Sequence, residues 1–346
     1  MEPIRSFLFF IIFSATLSSN AQNLSKTAFE QMKKSEDSMK NYSRDIISEK
    51  TASQRFTSDS IFIRMLVRSL KTNNSFYYPF DSLDNVSRIY APDSSFRIFS
   101  WQWSRDDDYV RQRGAIQMKT SDGSLQLFPL LDMSDFTTSP EDSIRNPRNW
   151  IGAIYYGIVM KTYNNKKYYT LLGYDDNNRR SAKKWIEVLS FDERGKPVFG
   201  GPFFALRPGK VNFADSISRY CMEYKKDGRA RMNYDKDMDM IVYDHLVSEN
   251  NEPDKPYTMI PDGDYQGFKW IDGKWVLVDK VFTYKLQDGQ APVPAPLKDA
   301  TGKSDEMKLM QQSEKNRQKQ EPVKKQPNIP VKKTTVKKQA KDDDSN

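Results

Sequence analysis

Between Phe96 and Phe282 the chain is a succession of short runs rich in Tyr, Val, Ile, Phe and Trp, each a candidate strand. They are broken at hairpin spacing by residues that tolerate positive φ: Asn164–Asn165, the Glu193-Arg194-Gly195 and Lys226-Asp227-Gly228 triplets, and Asp272–Gly273. Connections this short leave no room for a crossover helix, so neighbouring strands must run antiparallel. The pattern predicts strands over 96–103, 113–119, 125–131, 153–163, 167–174, 184–191, 197–199, 217–225, 229–234, 240–247, 267–271 and 274–282.

Some of these runs are apolar on both faces. In 154–163, Ile154, Tyr156, Ile158 and Met160 form one side, while Tyr155, Val159 and Tyr163 form the other. Both sides then need a cover, which a stacked meander provides as a sandwich, a barrel or an irregular propeller. No fixed repeat period selects among the three. The N-terminal part reads differently. Phe29, Met32, Met39, Tyr42 and Ile46 mark one stripe of a helix over 24–50. A second helix is expected to start at the capping residues 57–60, run through Ile61, Met65, Leu66 and Leu70, and stop at Asn73–Asn74. The expected organisation is a helical region over 22–90, a mainly β domain over 91–285 and a disordered Pro/Lys-rich tail over 286–346. A hydrophobic fraction of 37%, with 20 Phe, 18 Tyr and 6 Trp, supplies the core.

The first residues predict an address. Arg5, the apolar run 7–13, and the small residues Ser19 and Ala21 have the pattern of a signal peptide over 1–21 cleaved after Ala21. The chain is therefore expected to be exported, periplasmic or secreted, with no transmembrane span after cleavage. Cys221 is the only cysteine, which excludes an intramolecular disulfide. The net charge of +8 is concentrated in the tail, where residues 298–346 hold 13 Lys and Arg against 8 Asp and Glu. The body is nearly balanced, and no basic stripe interleaved with aromatics predicts a nucleic-acid partner. Lys324–Lys325, Lys332–Lys333 and Lys337–Lys338 on an extended segment suit a tether to an anionic envelope surface or glycan.

Sequence motifs give little chemistry. A single histidine, His245, and a single cysteine cannot supply a zinc hydrolase, and no metal or cofactor is expected. Asp235-x-Asp237-x-Asp239 opens like a calcium loop, but Met240 and Leu246 occupy its glycine and closing-glutamate positions, leaving a polar hairpin. Asp175-Asp176-Asn177-Asn178 and Asp262-Gly263-Asp264 have the same reading. Gly302-Lys303-Ser304 lacks the first glycine of a phosphate loop, and Ser181-x-x-Lys184 lacks the companion motifs of a serine acylase. His245 reads as a strand residue holding a carbonyl, or as a general base awaiting a nucleophile. Cys221 shares a strand face with Arg219 and Glu223, opposite Tyr220, Met222 and Tyr224, and reads as a structural thiol. Trp101, Trp103 and Asp106 are the candidate ligand-binding residues, because flat rings beside carboxylates bind sugars or cations; buried core tryptophans are the competing reading.

Pro79-Phe80-Asp81-Ser82-Leu83, Phe96-Arg97-Ile98-Phe99-Ser100-Trp101, Tyr168 through Gly173 with Ile186-Glu187-Val188-Leu189, Asp244-His245-Leu246 and Pro261-Asp262-Gly263 resemble a group of uncharacterised exported bacterial proteins. The resemblance spans about residues 76–282 and implies a shared fold and export, with no catalytic residues to transfer. Ala91-Pro92-Asp93-Ser94 stands where that group has Ser-x-Asp-Gly. The expectation from the sequence is a non-enzymatic envelope or extracellular binding or assembly module. The alternative is a carboxylate-dependent glycan hydrolase, for which two facing carboxylates in an open cleft, one with a raised pKa, would speak.

Overall fold

The structure, a computed structural model, describes residues 24–106, 108–207 and 216–282, together with Met307, Met310 and Gln311. The expected signal over 1–21, the Gly302-Lys303-Ser304 segment and nearly all of the tail lie outside the described residues. The chain divides into Met1–Thr283 and Tyr284–Asn346, and the elements named below belong to the first. Strand outweighs helix, 43% to 25%, so the protein is mainly β, with helices at its N-terminal end.

Helix α1 (Lys26–Ser48) starts where the Ser25 hydroxyl accepts from the Ala28 N–H, and buries the stripe Met32, Met39, Ile46. Helix α2 (Ala52–Leu70) begins earlier than the capping cluster at 57–60 suggests. Thr51 accepts from the Gln54 N–H while the Gln54 side chain reaches back to the Thr51 N–H, a reciprocal cap that satisfies two otherwise orphaned donors.

Strands β1 (Ser87–Tyr90), β2 (Phe96–Asp106), β3 (Tyr109–Met118) and β4 (Gln126–Leu131) form a first sheet in the order β1-β2-β3-β4, wholly antiparallel. A second sheet follows from β5 (Ile154–Tyr163), β6 (Lys166–Asp175), β7 (Ser181–Phe191) and β8 (Pro197–Phe199). The chain then crosses to a third sheet through β9 (Phe204–Ala205) and β10 (Ser216–Ile217), and returns to the second with β11 (Arg219–Lys225). It completes the third with β12 (Met232–Asp235), β13 (Met240–Ser248), β14 (Met259–Ile271) and β15 (Lys274–Val278). The second sheet has the order β11-β7-β6-β5, with β8 also on β7; the third has the order β10-β9-β15-β14-β13-β12. One pair, β15 with β9, is parallel. Nearly seventy residues separate its strands, so the short-connection rule that makes the other neighbours antiparallel does not reach it.

The layers stack as helix pair, first sheet, second sheet, third sheet, each interface filled by its own apolar cluster. Strand alternation decides which residue enters which cluster. From β2, Phe99 and Trp101 pack on Met39, Phe62 and Leu66 of the helices, while Phe96 and Ile98 pack on Tyr169, Leu171 and Leu189 of the second sheet. From β7, Trp185 and Leu189 face the first sheet, while Ile186 and Val188 face Ile241, Phe268 and Trp275 of the third. Strand β5 is covered on both sides, as its composition requires, but a bulge between Tyr155 and Gly157 shifts its phase. Tyr155, Ile158 and Met160 therefore share the first-sheet side, and Val159 takes the other. Of the alternatives sandwich, barrel and propeller, the arrangement is of the sandwich type: open sheets lie face to face.

Two hairpin turns match the sequence in detail, with Asn164–Asn165 and Asp272–Gly273 all at positive φ. At the 226–228 turn the positive φ falls on Arg229 instead of Gly228. Arg97 is wholly buried and has no carboxylate partner among the described residues. It donates to Gln117 Oε1 at 2.8 Å and Ser75 O at 2.9 Å, also to Tyr78 O and the Tyr90 hydroxyl, and lies 4.7 Å from the Phe99 ring centroid. These acceptors and the ring face replace its water.

Candidate functional site: an acidic cleft at the edge of the first core

The register of the second sheet builds the site. Asp175 on β6 pairs with Lys183 on β7, which pairs with Glu223 on β11; two residues along, Gly173 pairs with Trp185 and Trp185 with Cys221. A further two residues along lie Leu171, Glu187 and Arg219. Because side chains alternate, these three rows occupy one face, the one turned toward the first sheet. Its inner end is closed by core residues. At its outer end the face opens into a cleft of about 460 Å³ lined by Asp175, Lys183, Trp185, Cys221 and Glu223. Tyr109, the residues Ser134, Asp135, Thr137 and Thr138, and Glu141 line it as well.

The connection between β4 and β5 is pinned in place as the opposite wall. Asp132 anchors its start, accepting from the backbone N–H groups of Gln112 at 2.9 Å and Ser134 at 3.0 Å. Farther along, the Ser218 N–H donates to Glu141 O at 2.7 Å, and the Arg219 guanidinium donates to Ser143 O at 2.8 Å and to Pro140 O. Arg219 itself is wholly buried, 3.2 Å from the equally buried Glu187. Glu187 also accepts from the Tyr155 hydroxyl, which in turn accepts from Trp150 Nε1 at 2.7 Å. This chain of contacts joins the second sheet to the wall that carries Glu141.

Charge in the cleft is uneven. Asp135 lies 2.6 Å from Arg111, Asp108 is 3.6 Å from Arg179, and Glu223 is 3.7 Å from Lys183. Among the described residues, no cation lies within salt-bridge distance of Glu141 or Asp175. Asp175 is 8% exposed and accepts through Oδ1 alone, from Gln112 Nε2 at 2.7 Å and the Asn177 N–H at 2.8 Å. Burial raises its pKa to about 6, outweighing the lowering effects of those bonds and of Lys183. Burial likewise raises the Cys221 thiol well above its ordinary value, with Lys183 opposing and Glu141, Glu223 and Asp175 reinforcing the effect. Cys221 is thus a neutral thiol among the four charged groups, and a poor nucleophile at neutral pH.

One lining residue carries a donor with no partner among the described residues. Trp185 is 4% exposed, and its buried indole Nε1–H has no hydrogen-bond partner. An orphaned buried donor is costly, and this one has no surface open to the cleft.

The residues expected from the sequence to bind a ligand lie elsewhere, whereas Asp175, Asn177 and Asn178 of the Asp-Asp-Asn-Asn turn line the cleft. Trp101 is a core residue: it stacks edge-on against Phe62 at 5.2 Å and donates to the buried Asp59 at 2.8 Å. Trp103 is half-buried against Phe56 and Tyr109, and Asp106 is exposed and paired with Arg105 at 2.9 Å. None of the three lines the cleft. His245 meets the Asp262 carboxylate at 2.8 Å in place of the expected backbone carbonyl. Asp235 and Asp239 serve their hairpin, Asp235 accepting from the Asp237 and Met238 N–H groups and Asp239 pairing with Lys161 and Tyr234. Ser181 donates to Glu223, whereas Lys184 lies on the opposite face over the Tyr156 ring at 4.7 Å, so the two form no catalytic pair. Sequence reasoning placed Cys221 and Glu223 on one strand face and read Asp175 as part of a polar turn, but missed Lys183 and Trp185; strand pairing alone brings these residues together.

Comparison of the chain with protein-family models, with curated proteins and with solved structures finds no match.

Proposed function

We propose that the protein is an exported binding module that holds a hydroxyl-rich ligand, of the glycan class, in the acidic cleft. The observation that carries this reading is a cleft lined by hydrogen-bonding side chains, Asp135, Glu141, Asp175 and Glu223 together with Ser134, Thr137 and Thr138. A hydroxyl group donates as well as accepts, so a neutral polyol can satisfy the carboxylates and the lining hydroxyls together. Tyr109 also stands at the cleft, with the Arg105 guanidinium 4.3 Å from its ring centroid. Export rests on the pattern of residues 1–21, and the Lys-rich tail would hold the module at an anionic surface by charge.

Titration of the protein with soluble glycan oligosaccharides, followed by calorimetry and by tryptophan fluorescence, tests the reading. Binding should be weakened by Glu223→Gln, which keeps the side-chain shape but removes the carboxylate. Equal affinity of the variant for every oligosaccharide would refute the assignment. Export predicts Gln22 as the first residue of protein recovered from the envelope or medium, read by mass spectrometry; an intact Met1 there would contradict it.

The raised pKa of Asp175 favours a second reading, a carboxylate-dependent glycan hydrolase in which Asp175 is the general acid and Glu141 the base. Release of new reducing ends from a bound oligosaccharide, abolished by Asp175→Asn, would select it over simple binding.

A further inference from the structure

We propose that the free edge of β11 is a docking site for an extended segment of a partner protein, basic on alternate residues, which adds to the second sheet as one more strand. The inference concerns the strand edge and does not rest on the glycan reading above. Strand β11 ends the second sheet, and among the described residues β7 is its one partner strand. The Lys226 N–H donates to Arg180 O at 2.9 Å, directly beyond the pair Lys225 and Ser181, and this fixes which residues bond inward. In an antiparallel ladder the hydrogen-bonded positions recur every second residue, so Tyr220, Met222 and Tyr224 turn their N–H and C=O groups toward β7. Those of Cys221 and Glu223 point away from the sheet. No group among the described residues bonds to them.

An unpaired edge is a template for another strand. Cys221 and Glu223 are half-buried, and both border the acidic cleft on the first-sheet side and a groove of about 240 Å³ on the side of the third sheet. A strand laid along this edge alternates its side chains between those two spaces. The groove lining includes Tyr220, Met222, Leu246 and Met259, which suit an apolar side chain. The cleft lining sets Asp108, Asp135, Glu141, Asp175 and Glu223 against one basic residue, Lys183, which suits lysine or arginine on the alternate positions. Short turns limit the length of the occupant. The turn 140–142 closes one end, where Glu141 O accepts from the Ser218 N–H at 2.7 Å. The turn 256–258 closes the other, where the Arg180 guanidinium lies 3.3 Å from the Tyr257 ring centroid. The open stretch, about 7 Å from Cys221 to Glu223, takes a short segment better than the long edge of a second copy.

The test uses the full chain and an acetylated, amidated pentapeptide that alternates lysine and valine, with calorimetry for affinity and amide exchange for location. The peptide should bind at least about tenfold tighter than a counterpart with glutamate for lysine at low salt, and the advantage should shrink as salt is added. N-methylation of its lysine residues or of its valine residues should abolish binding in one case and leave it within about twofold in the other, since only one row of N–H groups faces β11. The Cys221 and Glu223 amides should exchange readily in the free protein and slow at least about tenfold on binding. Loss of binding with both methylated peptides or with neither overturns the inference, as does failure of the parent peptide to bind. Slow exchange of both amides before any peptide is added would assign the edge to a second copy or to another segment of this chain, told apart by the oligomeric state, and would overturn it as well.

Discussion

Asp175 carries an unfavourable charge. Its carboxyl titrates near 6 in the folded protein against an ordinary value of 3.8, because burial disfavours the ionised form. Between about pH 4 and pH 6 the folded chain therefore binds more protons at this position than the unfolded chain. The stability contribution of this group falls as pH rises through that window, and the deficit is complete above it. A shift of this size corresponds to roughly 3 kcal/mol. Asp175→Asn keeps an Oδ1 acceptor for Gln112 and Asn177 while removing the charge. It should raise stability at about pH 7.5 by about 1–2 kcal/mol in urea unfolding and give no gain near pH 4. A variant that is less stable at both pH values would show that the charge is compensated in the folded state. Glu187 and Arg219 are the opposite case, a buried pair whose members satisfy each other. Arg219→Met leaves Glu187 charged and buried and strips donors from Pro140 O and Ser143 O. The expected loss is about 3–5 kcal/mol by the same assay, and a loss below about 1 kcal/mol would mean that water reaches the site.

Among the elements, α2 depends on its first turn. The Thr51 and Gln54 cap satisfies two donors that the helix cannot, and Thr51→Ala should cost about 1 kcal/mol. The helix is tied to the first sheet by Asp59, which is wholly buried and accepts from Trp101 Nε1 at 2.8 Å and Arg113 Nε at 3.0 Å. Destabilisation at Thr51 is therefore expected to appear in the global unfolding transition and not as separate fraying; amide exchange across α2 distinguishes the two. The strands illustrate how far local pattern reaches. Residues 197–199 match a predicted strand end to end, and 240–247 misses by one residue, because apolar alternation and turn chemistry agree there. Strands β1 and β9 escape detection because Ser-Arg-Ile-Tyr and Phe-Ala have neither length nor alternation. They become strands only by pairing with β2 and with β15.

For the whole molecule, the layered stack makes each sheet depend on its neighbours. The first sheet has no spare covered face: Phe99 and Trp101 point to the helices, and Phe96 and Ile98 to the second sheet. Removing residues 24–70 would uncover Phe80, Phe99 and Trp101 together. The truncated protein is expected to aggregate or bind an apolar dye, and a soluble monomer with unchanged near-ultraviolet circular dichroism would show that the helices are dispensable. The described helices include none long and apolar enough to cross a membrane.

Sequence alone determined what local rules govern. Period-two apolar runs and positive-φ turn residues gave the mainly β class, the antiparallel neighbours and the covered faces of β5; stripes at helical spacing gave the N-terminal helices. It also placed Arg219, Cys221 and Glu223 on one side of a strand, since alternation needs no partner to be read. The tertiary structure decided the rest. Trp101 and Trp185 are both tryptophans in apolar runs, yet Trp101 finds Asp59 from a distant helix and Trp185 finds no acceptor. Asp175, Lys183 and Glu223 are neighbours only because β7 pairs with β6 on one side and with β11 on the other. Glu141 lines the same cleft because a buried arginine holds its loop by backbone carbonyls. Burial and charge balance are sums over residues far apart in the chain, and such sums exist only after the strands have paired.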